Sequence, residues 1–128
     1  MLYKDLAADP HRRGVMTKSL DFKLSVLLLR EGEAWVAQCL DYDIAAQGKT
    51  IAEAKDAFAR TFAGQVFVDL NHNVEPLHGF SPAPQEYWEQ FEKGERLKDR
   101  QPIYIPKYDA TTPAVNVHAA AEDLRIAA

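Results

Sequence analysis

The sequence is poor in cysteine and in long apolar runs, and each shortage excludes a class of protein. A single cysteine, Cys39, among 128 residues excludes an internal disulfide framework and suits a reducing compartment. No apolar run is longer than four residues, as at 26–29, whereas a membrane-spanning helix needs about 20. The first residues also lack the apolar core and cleavage site of a secretory signal. We therefore expect a cytoplasmic protein with no membrane partner.

Positive charge is scarce outside the N-terminal region. Acidic residues outnumber basic ones by 19 to 15, for a net charge of −4. Residues 1–30 hold six Lys and Arg against three Asp and Glu, a balance of +3, so the remainder carries −7. An acidic body repels phosphate backbones, which disfavours nucleic-acid binding. Arg12 and Arg13 are interpreted as part of a flexible, solvated segment over residues 1–18, in which Met16 is an alternative to Met1 as the natural start.

Hydrophobic periodicity predicts three strands near the start of the folded region. Apolar residues alternate with polar ones from Leu20 to Arg30, which indicates a strand with one buried face. Leu27 and Leu29 break this alternation, so its far end is expected to be apolar on both faces, covered by a helix on one side and by another segment or subunit on the other. Gly32 predicts a hairpin turn into a second strand over 34–40. A third strand is predicted over 44–47.

A long helix is predicted directly after these strands. Thr50 and Glu53 have the spacing of a capping box, in which two side chains satisfy amides at a helix start. Apolar residues then recur every three or four positions and mark one buried face of a helix of about twenty residues. That stripe comprises Ile51, Ala54, Phe58, Phe62, Val66 and Leu70. Residues 19–75 are therefore predicted to form one β-β-β-α domain.

Residues 76–128 are predicted to be a less regular extension that packs on the domain or on a second subunit. Pro84 and Gly94 bracket a short acidic helix with Tyr87, Trp88 and Phe91 on one side. Prolines favour extended chain over 100–113, and residues 114–127 are interpreted as a strand, with an alanine-rich helix as the alternative. The fold class is thus α+β, a three- to four-stranded antiparallel sheet packed against one long helix.

Few residues have the type and spacing that indicate catalysis or metal binding. Cys39 lies on the Trp35 face of a strand, where a thiol is normally a small buried hydrophobe and not a nucleophile. The four histidines lack the spacing of a metal site. Asp41 and Asp43 flank Tyr42 at a strand corner. They either hold a hard cation together with a third carboxylate or, as is commoner, form the turn by bonding nearby backbone amides. The sequence therefore predicts no catalytic residue, no cofactor and no metal.

The stretch from Trp35 to Ala54 resembles the N-terminal domain of the HicB-like antitoxin family. The matching positions are Trp35, Ala37, Asp41, Gly48, Thr50, Glu53 and Ala54. The resemblance covers about residues 20–70 and implies a three-stranded antiparallel sheet with a packed helix, similar to part of an RNase H-like fold. It also implies a binding role, the neutralisation of a small HicA-like toxin. Residues 114–127 stop before the helices of a ribbon-helix-helix, so we expect the family's usual C-terminal DNA-binding domain to be lacking.

Two functional hypotheses follow from different classes. The first is a non-catalytic protein-interaction module, homo-oligomeric or bound to a small basic HicA-like toxin. Its candidate partner-binding residues are Asp41, Tyr42, Asp43, Tyr87, Trp88 and Phe91, although the three aromatic residues of the short helix are also expected to close the domain's own core. The second is a small ligand-binding protein or enzyme with a pocket near the Asp41–Asp43 corner.

Overall fold

A computed structural model describes residues 18–106 and 115–128, which form six strands and two helices. In chain order these are β1 Lys18–Glu31, β2 Ala34–Cys39, β3 Ala45–Gly48, α1 Ile51–Asn71, α2 Gln85–Lys93, β4 Glu95–Arg96, β5 Gln101–Ile103 and β6 Val115–Ile126. The segment predicted over 1–18, with Arg12, Arg13 and Met16, lies outside the described residues except for Lys18. No helix in the described part of the chain is long and apolar enough to cross a membrane.

The strands form one mixed sheet in the order β3-β2-β1-β6-β4, with β5 also paired to β6. The hairpin β1–β2 and the pair β2–β3 are antiparallel, whereas β6 runs parallel to β1 along most of its length. The α+β class is confirmed, but the sheet is neither purely antiparallel nor limited to four strands. Alternation identifies a strand's buried face and not its neighbour, so the sequence did not indicate that β6 joins the centre of the sheet.

A β-bulge interrupts the pairing of β1 with β6. Leu24 pairs with Ala121 and Ser25 pairs with Asp123. The β6 residue between Ala121 and Asp123 therefore has no pairing partner on β1. One extra residue reverses the direction of every side chain after it. The β6 residues in the core cluster under α1 accordingly change from Ala119 and Ala121 before the bulge to Leu124 after it.

Helix α1 covers one face of the sheet. Thr50 caps it by accepting a hydrogen bond from the amide of Glu53 at 3.1 Å, and the Glu53 carboxylate lies 3.5 Å from the Thr50 hydroxyl. The predicted stripe packs on the sheet through Ala54, Phe58, Phe62, Val66 and Leu70, all buried. Gly48 permits the close approach of β3, because a Cβ there would lie 2.6 Å from the Glu53 Cβ.

The opposite face of the sheet carries a second apolar cluster, which α2 covers. Leu27, Leu29 and Leu40 pack there with Phe91 of α2, while Val26 and Leu28 belong to the cluster under α1. The prediction that the far end of β1 is apolar on both faces is therefore confirmed. The cover on the second face is a segment of the same chain.

Candidate functional site

The Asp41–Tyr42–Asp43 corner begins where β2 leaves the sheet. In the register of the β1–β2 hairpin, Leu40 lies opposite Ser25, and the Leu40 amide donates to the Ser25 carbonyl at 2.9 Å. The reciprocal bond is missing, because the Leu40 carbonyl accepts from the Ala83 amide instead, also at 2.9 Å. The Ser25 amide therefore needs another acceptor.

Asp41 supplies that acceptor. Its carboxylate oxygen Oδ1 accepts from the Ser25 amide at 2.7 Å, the short distance of a charge-assisted hydrogen bond. The carboxylate stands in the place that the Leu40 carbonyl would occupy in a regular ladder. Asp41 thus continues the pairing of β1 by one residue after the backbone of β2 has turned away.

Asp43 is tied to different partners. Its carboxylate accepts from the buried Gln38 side chain at 2.8 Å, and the same Gln38 amide also donates to the Cys39 carbonyl at 2.9 Å. The Asp43 backbone amide donates to Ser81 at 2.8 Å. The two carboxylates of the corner therefore serve separate contacts. No group of three His, Cys, Asp or Glu residues that could hold a metal ion occurs in the described ranges.

Burial weakens the acidity of the neighbouring ionisable groups. Cys39 is fully buried, and this burial raises the pKa of its thiol from 9.0 to about 12, although a backbone hydrogen bond at Tyr42 opposes the change. Burial also raises the pKa of Tyr42, with a further contribution from the Asp41 charge. The Tyr42 ring is half-buried and meets Phe22 edge to face at 6.0 Å. A thiol with so high a pKa stays protonated and is not a nucleophile at neutral pH.

The aromatic side of α2 faces the sheet. Phe91 is 4% exposed, and the half-buried Tyr87 and Trp88 pack beside it. The Arg125 guanidinium lies 4.3 Å from the Phe91 ring centre and also donates to the Phe91 carbonyl at 3.2 Å. Asp123 holds that guanidinium through two hydrogen bonds of 3.1 Å. These contacts fix the position of α2 on the sheet.

The solvent side of α2 is mainly acidic, with Lys93 as the one basic residue of the helix. Glu86, Glu89 and Glu92 are all exposed and follow one another at intervals of three residues, so they form a row along one face of the helix. We call this row the α2 acidic face. Because the opposite side of α2 is packed, these charges are held on a fixed support.

A groove of about 550 Å³ lies between α1 and the β5 region, away from the corner where the sequence suggested a pocket. Its lining includes Ala59, Ala63, Gly64, Pro102, Tyr104 and Pro106, together with the Asp56–Arg60 ion pair. Sequence reasoning missed this groove. The available signal was Phe67, a large apolar residue that lies outside the buried stripe of α1, is 37% exposed and lines the groove.

The described residues thus define an α+β protein in which two helices cover opposite faces of one mixed sheet. Comparison with protein-family models, with curated proteins and with solved structures finds no match.

Proposed function

We propose that the chain is a cytoplasmic, non-catalytic protein-interaction module of the HicB-like kind, which binds a small basic HicA-like protein and associates with itself. The observation that carries the first part is the α2 acidic face of Glu86, Glu89 and Glu92. A row of like charges on a fixed helix raises the association rate of an oppositely charged partner and selects against acidic ones.

The arrangement of the corner supports a binding role over catalysis. The Asp41 carboxylate is used by the Ser25 amide, and Cys39 is buried with a pKa of about 12. These groups stabilise the turn between β2 and β3. The resemblance of residues 20–70 to a HicB-like domain, including its partial RNase H-like fold, fits a scaffold that holds such a partner.

A co-expression experiment tests this proposal. A short basic protein encoded beside this chain is expressed alone and then with the chain, and growth is followed. We expect growth arrest in the first case and recovery in the second. The variant Glu89→Lys/Glu92→Lys should bind the purified partner about 10- to 100-fold more weakly at low salt. Absence of a growth effect or of binding would refute the toxin-neutralising role.

A matched control separates the α2 acidic face from net charge. Glu31 and Glu33 are exposed at the β1–β2 hairpin, so Glu31→Lys/Glu33→Lys changes the charge by the same amount at another place. We expect this control to bind within about threefold of the native chain. Equal losses in both variants would mean that only the overall charge matters.

The groove between α1 and β5 favours a second candidate function, a small ligand-binding protein. Its volume of about 550 Å³ falls in the range of small-molecule sites. Gly64 lines the groove, and a Cβ added there meets nothing within 4 Å. Fluorescence of bound 8-anilinonaphthalene-1-sulfonate should therefore fall in Gly64→Leu. Unchanged or absent dye binding would remove support for this candidate.

A further inference from the structure

We draw no further inference here: the strongest candidate, the apolar groove between α1 and the β5 region, belongs to the site already described, and nothing in the described residues shows what occupies it, since the unpaired side-chain oxygen of its lining residue Gln101 is buried and not exposed to a ligand.

Discussion

Replacing Asp41 by alanine is expected to lower the free energy of unfolding by about 2 to 3 kcal/mol. The Asp41 carboxylate accepts from the partly buried Ser25 amide at 2.7 Å, and a hydrogen bond to a charged group contributes about 1.5 to 3 kcal/mol. Alanine also leaves the Ser25 amide without this acceptor. Asparagine retains an oxygen at nearly the same position, so Asp41→Asn should cost only about 1 kcal/mol.

Urea denaturation followed by circular dichroism measures these differences. A change of 2 kcal/mol corresponds to roughly 8 °C in Tm for a chain of this size. Hydrogen exchange provides a local check, since the Ser25 amide should exchange faster in Asp41→Ala than in Asp41→Asn. A loss below about 0.5 kcal/mol in Asp41→Ala, with Ser25 exchange unchanged, would refute the role assigned to this carboxylate.

Three further predictions concern the buried residues Phe91 and Cys39 and the half-buried Gly48. Phe91→Ala should cost about 3 to 5 kcal/mol in urea denaturation, because Phe91 is 4% exposed and anchors α2. Gly48→Ala should cost about 1 to 3 kcal/mol in the same assay, since its Cβ would lie 2.6 Å from that of Glu53. Between pH 9 and 12, unfolded Cys39 loses its proton while folded Cys39, with a pKa of about 12, keeps it. Stability should therefore fall about 1.4 kcal/mol per pH unit faster than in Cys39→Ala.

Each of these predictions has its own control. Glu89→Ala, on the exposed side of α2, is the control for Phe91→Ala. Gly79→Ala, which adds a Cβ where nothing lies within 4 Å, is the control for Gly48→Ala. The free energy of unfolding of both control variants should stay within about 0.5 kcal/mol of that of the native chain. A Phe91→Ala loss no larger than that of Glu89→Ala would contradict the second apolar cluster. Parallel pH profiles for the native chain and Cys39→Ala would contradict the raised thiol pKa.

Local sequence signals predicted the elements that depend on few neighbours. Gly32 adopts a φ of +62° in the predicted hairpin turn, and Thr50 caps α1. Helix α2 lies between Pro84 and Gly94, as these two residues indicated. In each case a backbone conformation or a cap within a few residues determines the outcome.

The partner of β6 could not be predicted in the same way. Residues 115–126 were correctly interpreted as a strand, but their parallel pairing with β1 depends on contacts about 100 residues apart in sequence. One signal was available. The apolar alternation at Val115, Val117, Ala119 and Ala121 changes parity at Leu124 and Ile126, and such a change is typical of a β-bulge in a strand that packs on a core.

The candidate site was predicted only in part. Corner aspartates were expected to bond nearby backbone amides, and Asp41 does accept from a backbone amide, but that of Ser25, 16 residues away on β1. The groove was not anticipated, because α1 and the β5 region that line it are remote in sequence. No periodic pattern within either segment indicates that the two will face each other.

The parallel pairing of β1 with β6 also determines when the protein can fold on the ribosome. β1 is synthesised before residue 32, whereas β6 is complete only at residue 126. At roughly 5 to 20 residues per second, the interval is about 5 to 20 s. During that time one edge of β1 remains unpaired, and until α2 is complete at Lys93 it cannot cover Leu27 and Leu29. We expect nascent chains halted in this interval to need chaperones, and released ones to aggregate.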